Sequence, residues 1–361
     1  MIYRLKPPIA LETIVVSIAF FSVCAPVYGQ NEPFSYSKIY AYCLDANVKP
    51  ALKLVDVDAS LLSIKDKEFK TKLEARFKFE SDQTQYPETS SPVDELVNIY
   101  KDYWRKSLLD TASNYDLMLG KNVIAYLVER YPPARSILTT ANRDTIGIYL
   151  RRFLMEWLAT QKLYSTGFGR TGKLLDLLIW RAQKDTVYSF QLPGEQVYAP
   201  VVMMDSFVTL GWEDYATLGR HYPGGWTTKE SLFCVTRAYD LSSEEFLISY
   251  LAHEGRHFGD YKLFPNLKSS DLEYRAKLTE LALAKTTLQE TISFFINNSN
   301  SQSSNAHSKA NYNVIKDMST LLFKRGFEYD TSKWKKLSEK KIHKAAQKLL
   351  KKDTRRLQSA R

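Results

Sequence analysis

Two of the five histidines in this 361-residue chain stand four residues apart, in His253-Glu-Gly-Arg-His257. Positions i and i+4 share a face on an α-helix, where side chains sit about 5–6 Å apart, so the spacing calls for a helix carrying both imidazoles on one side. Leu251, Ala252 and Phe258 around the motif are apolar, which places that helix in an interior. Ser242 followed by Glu245 reads as a capping box ahead of Phe246-Leu-Ile-Ser-Tyr-Leu-Ala252, and predicts a helix from Ser243 to about Leu263.

Buried paired histidines need a partner, and a metal ion is the simplest. Zinc takes nitrogen donors in a tetrahedral array and, in catalytic sites, keeps one position open for water. Glu254 follows His253 directly and is placed to face that water as a general base, since zinc lowers the water's pKa towards about 7. A strand over Leu232 to Tyr239 lies just upstream. A strand followed by a helix bearing H-E-x-x-H resembles the zincin superfamily of zinc metallopeptidases.

That resemblance implies one zinc per chain, bound by His253 and His257, with Glu254 activating water. The metzincin pattern would have glycine at 260 and His or Asp at 263, where this chain has Asp260 and Leu263. A gluzincin-like pattern takes a glutamate from the next helix, and Glu273 and Glu280, seven apart, lie on nearly one face. The segment Asp271-Leu-Glu-Tyr-Arg-Ala276 resembles the E-x-x-A pattern around the third ligand of some gluzincin-like peptidases. Glu273 is therefore the expected third ligand and Glu280 the alternative. The one left over, or Asp260, would orient a histidine from behind. His221, Tyr239, Tyr274 and Arg275 are candidates for a transition-state donor, and the sequence does not rank them. Gly255, which weakens a helix by about 1 kcal/mol relative to alanine, is expected to permit close packing or substrate approach.

The formal net charge of +10 is unevenly placed. Residues 330–361 hold twelve Lys or Arg against Asp330, Glu339 and Asp353, while residues 30–329 balance to zero. A neutral body excludes a broad nucleic-acid-binding surface. The tail residues Trp334, Leu337, Ile342, Ala345 and Leu349 mark an amphipathic helix. It can dock its apolar stripe on the body, be drawn to an anionic envelope surface or an acidic partner, or do both. At the other end, Arg4, Lys6 and the apolar run Thr13 to Ala25 read as a cleaved signal peptide over residues 1–29, so the protein is expected to be secreted or periplasmic. No further stretch is long and apolar enough to span a bilayer. Cys43 and Cys234 would then remain, either bridged or as buried thiols.

The pattern along the chain predicts an α+β fold, mostly helical. A helical N-terminal lobe covers 30–170 and a zincin-like core 171–296, where a small β-sheet packs next to the motif helix. A Ser/Asn-rich loop follows over 297–313, then a C-terminal helical segment over 314–361 with the basic tail. Gly167-Phe-Gly-Arg-Thr-Gly172-Lys173 resembles a phosphate loop, but Leu174 stands where Ser or Thr is needed, so it reads as a linker. The function expected is an exported zinc metallohydrolase acting on a peptide or protein substrate. The alternative is a zinc-retaining envelope or binding protein without turnover, which the positive charge of Arg256 beside the metal would favour.

Overall fold

The computed structural model describes residues 34–83, 91–303 and 305–359; the expected signal segment, 1–29, lies outside them. The fold is α+β and mostly helical, with a mixed five-stranded sheet and a separate two-stranded one. The described chain divides into two compact units, residues 34–182 with 206–223, and residues 183–205 with 224–359.

The first unit holds helices α1 (Tyr36–Leu44), α2 (Val48–Val55), α3 (Ile64–Phe77), α4 (Pro92–Leu109), α5 (Asp116–Arg130), α6 (Arg135–Thr140), α7 (Ile146–Thr160) and α8 (Trp212–Ala216). Local chemistry sets their ends. Ser91 and Asp94 form a reciprocal capping box at the start of α4, with Pro92 in the first turn. α5 stops ahead of Pro132-Pro133, which cannot continue a helix. α4 buries Leu96, Val97, Tyr100, Tyr103, Trp104 and Leu108, the three-to-four spacing of an inward stripe. The segment expected to be a linker is instead a tight hairpin. Strand β2 (Gly169–Thr171) pairs with β3 (Leu174–Asp176), and Gly172 supplies the positive φ of +54° at the turn.

Strands β1 (Tyr164–Ser165), β4 (Leu178–Leu192), β5 (Glu195–Leu210), β6 (Gly225–Thr227) and β7 (Leu232–Val235) make the larger sheet in the order β1-β4-β5-β7-β6. β5 runs parallel to β7, with Val201 opposite Leu232, and β7 is antiparallel to β6. In the second unit this sheet buries Val197, Ala199, Val201, Leu232 and Cys234 against Phe246, Tyr250, Leu251, Ala252 and Phe258. The small sheet thus packs directly on the segment that carries the histidines.

That segment enters differently from the expectation. Ser242 bonds to Asp240 rather than capping a helix. Residues Glu245–Ala252 form a π-helical stretch that runs straight into α9 (His253–Leu263), and the His253 N–H donates to the carbonyl of Ile248, five residues back. Such i→i+5 turns are rare and concentrate at functional sites. Two helices follow, α10 (Ser269–Leu283) and α11 (Leu288–Asn297), separated by Ala284 in an extended conformation. Glu244 explains the break. Its carboxylate accepts from the backbone N–H groups of Lys285, Thr286 and Thr287, the unpaired donors ahead of α11.

α12 (Ala306–Phe323) begins inside the span read as a loop, because the Asn305 side chain accepts from the N–H groups of His307 and Ser308. After α13 (Thr331–Lys335) comes α14 (Glu339–Ser359), the basic helix. Its apolar stripe, Ile342, Ala345, Ala346, Leu349 and Leu350, is buried in one core with Trp334, Leu278, Ile292, Val314 and Met318. The docking reading is the observed one. Lysines such as Lys340, Lys344, Lys348, Lys351 and Lys352 are exposed on the opposite face. No helix among the described residues is long and apolar enough to cross one. Cys43 and Cys234 are free and buried, and burial pushes both thiols up to about 12.

Two acids in the first unit are fully interior. Asp176 accepts from the N–H groups of Leu177 and Trp212 through Oδ1, yet burial raises it to about 7. Burial and the charge of Asp176 raise Glu213 to about 8. Unfolded, both would ionise near pH 4. Between about pH 4 and 8 the folded state therefore holds protons that the unfolded state has released, and stability falls as pH rises. At about 1.4 kcal/mol per pKa unit, the loss is at most on the order of 5 kcal/mol per group. Melting temperature measured from pH 5 to pH 8 should decline, and Asp176→Asn, which keeps the accepting oxygen, should flatten the decline. An unchanged slope in that variant would show that Asp176 is not the titrating group.

Candidate metal centre

Helix α9 is unusual in that every residue from His253 to Asp260 is buried, although five of the eight are ionisable. Burying so many polar side chains is tolerable only if each meets a partner. The partners come from two sides.

On one side, α10 brings Glu273 to the histidines. His253 Nε2 lies 3.1 Å from His257 Nε2. Glu273 Oε1 is 3.2 Å from His257 Nε2, and Glu273 Oε2 is 3.5 Å from His253 Nε2. The three residues thus form a triangle, with four donor atoms, one on each histidine and both oxygens of Glu273, separated by 3.1–3.5 Å along its sides. Zinc with bonds of about 2.0–2.1 Å to nitrogen or oxygen, arranged tetrahedrally, has ligand–ligand edges of about 3.3–3.5 Å. The three residues are each at most 2% exposed, and among the described residues they are the cluster able to hold a metal ion.

Glu280 sits elsewhere. Its Oε1 is 2.7 Å from His253 Nδ1, on the far side of the ring from the triangle. A carboxylate there takes the Nδ1 proton and leaves Nε2 with its lone pair directed at the site. The seven-residue spacing could not separate these two roles, because one face of α10 carries both glutamates at different heights. Burial alone would lower His253, but the bonds and charges of Glu273 and Glu280 raise it to about 10. Burial opposes ionisation of Glu273, yet His307, His257 and His253 together hold its carboxyl well below the usual carboxylate range. The same two carboxylates that favour positive charge on His253 would favour a metal cation between them and the imidazoles.

Glu254 is fully buried, and burial raises its carboxyl despite the nearby imidazoles of His257 and His253. The Thr227 hydroxyl of β6 donates to Oε2 and also lies 3.1 Å from the Glu254 carbonyl. Oε1 has no hydrogen-bond partner among the described residues. One carboxylate oxygen is therefore anchored and the other left to accept a proton. Thr227 was not foreseen in the sequence, where a lone threonine in a short strand carries no signal.

On the other side of α9, Arg256 turns towards the β4–β5 hairpin. It pairs with Glu195, donates to the Pro193 carbonyl at 3.1 Å and to Thr279 Oγ1 at 3.2 Å, and lies 3.8 Å from Asp260. Its charge is compensated there. Asp260, expected to steer a histidine, instead forms a two-pronged bond with Arg275 at 2.7 and 2.9 Å. Arg275 continues to Asp353 and Thr354 of α14, both at 3.1 Å.

The remaining candidates for a transition-state donor are engaged in other ways. Arg275 is committed to this network, Tyr274 donates to Asp317 at 2.8 Å, and Tyr239 packs its ring on Phe246 and Tyr250. His221 belongs to the first unit, where it meets Tyr40 edge-on and burial lowers it to about 4. The residue that sequence reading missed is His307. Its Nδ1 lies 2.9 Å from Glu273 Oε2, and its side chain is 18% exposed against 2–3% for Glu273 and His253. No family model, curated protein or solved structure matches this chain.

Gly255 is explained by packing. A Cβ at this position would collide with the ring of Phe190 on β4. Alanine ordinarily strengthens a helix by about 1 kcal/mol over glycine, but overpacking costs about 1–3 kcal/mol. Gly255→Ala should therefore lower stability in urea titrations, and the same change in a Phe190→Ala background should raise it. The sign reversal between the two backgrounds is the diagnostic, and its absence would remove the ring as the cause.

Proposed function

We propose that the chain is a zinc-dependent hydrolase of amide bonds, a zincin-like metallopeptidase whose ligand set is His253, His257 and Glu273. The observation that carries this reading is the triangle of residues whose facing nitrogen and oxygen atoms lie 3.1–3.5 Å apart, with the unpartnered Oε1 of Glu254 on the same helix.

Zinc in such a site supplies Lewis acidity and lowers the pKa of water towards about 7. The chain's own residues do the rest. Glu280 holds the Nδ1 proton of His253 and so fixes the tautomer that offers Nε2. Thr227 fixes Glu254 through Oε2, and Oε1 receives the proton that water gives up during attack on a carbonyl. The same oxygen then returns that proton to the departing amine. Burial of all four residues excludes bulk solvent, so these charges act at a low effective dielectric.

The alternative, a metal-retaining binding protein without turnover, drew on the cation at Arg256. Its pairing with Glu195 and Asp260 weakens that argument, because these carboxylates, and not the expected ligands, neutralise the charge.

Metal analysis of the purified chain should give about one zinc per molecule, lost on His253→Ala. Glu254→Gln should keep the zinc and lower hydrolysis of a mixed peptide library by at least about a hundredfold. A wild-type chain without zinc would end the reading; a zinc-loaded wild type as inert as Glu254→Gln would leave the binding role in its place.

A further inference from the structure

We infer that His307 is a positioning residue that commits one oxygen of Glu273 and thereby governs how tightly the site retains its metal; this rests on the metal-site reading above. The geometry is specific. Glu273 Oε2 lies 2.9 Å from Nδ1 of His307, at ion-pair distance, while Oε1 faces His257 Nε2 at 3.2 Å. A carboxylate has two equivalent oxygens, and an unrestrained one can turn both towards a cation. With Oε2 held against His307, Oε1 is left as the metal-facing atom, so Glu273 would bind through one oxygen and leave a coordination position open.

The chain invests in placing this imidazole. Asn305 caps α12 by accepting from His307 N–H at 2.9 Å and Ser308 N–H at 3.2 Å. Asn311 donates to the Asn298 carbonyl at 3.1 Å, and the Asn300 N–H donates to the Ser308 carbonyl at 3.1 Å. The Ser/Asn-rich segment between α11 and α12 is thus tied to the first turns of α12, and its short polar side chains act as the scaffold for His307. Two of the three ligands are then steered from outside the triangle, His253 by Glu280 and Glu273 by His307. His307, with its partial exposure, is the member of this set closest to solvent.

The test is zinc affinity of the full chain, measured by competition with a chromophoric chelator, with no substrate present. His307→Ala should weaken zinc binding by about 10–100-fold, the range for losing such an outer partner. His307→Asn, whose amide nitrogen can stand in for Nδ1–H, should recover part of the loss, which a merely structural role would not produce. Circular dichroism melts of the metal-free variants should match wild type. Equal affinity in His307→Ala and wild type would overturn this inference alone. Complete loss of zinc, as in His253→Ala, would overturn it too, by making His307 a direct ligand. A wild-type chain that binds no zinc would instead sink the metal-site reading on which both depend.

Discussion

Charge compensation inside α9 is the constraint on which the second unit turns. A helix with His253, Glu254, Arg256, His257 and Asp260 all buried cannot be held by apolar packing alone, because each uncompensated charge would cost several kcal/mol. The structure divides the problem among several partners. Glu273 and Glu280 of α10 meet the imidazoles, Glu195 meets Arg256, and Arg275, itself paired with Asp353, meets Asp260. Buried ion pairs of this kind add little net stability, but breaking one partner is severe. Their value is in fixing a single arrangement, and a metal site needs one.

The packing around α9 serves the same end. Gly255 and Gly259 let the helix approach the β4–β5 hairpin closely enough for Phe190 and Glu195 to reach it. Thr227 enters from β6 on the edge of the sheet. The π-helical entry over Glu245–Ala252 changes the phase of the backbone just before His253, so the apolar residues ahead of the motif face the sheet while the polar ones face α10.

Much of this was legible from residue spacing, because His253, Glu254 and His257 are local to one another and helical geometry alone fixes their shared face. The α+β class followed from the change of pattern after Gly172, and the buried stripe of α14 from its apolar period. What escaped were relations set by tertiary contact. Glu273 and Glu280 share a face of α10, and only the height of α10 against α9 assigns one to Nε2 and the other to Nδ1. His307 lies 34 residues beyond Glu273, at the end of a polar segment that reads as loop. The available clue was that a third of the chain's five histidines follows an asparagine at a helix start. The π-helical turns carry no signal in residue spacing, and the Glu244 carboxylate ahead of α11 meets backbone partners 41 and 43 residues away.

The link from Asp260 through Arg275 to Asp353 also ties distant stretches of sequence to one cation. Arg275 stands two residues beyond Glu273 on α10, so α9, α10 and α14 share a single guanidinium. Removing either acid would leave that interior cation short of a partner, and the resulting strain would arise beside Glu273.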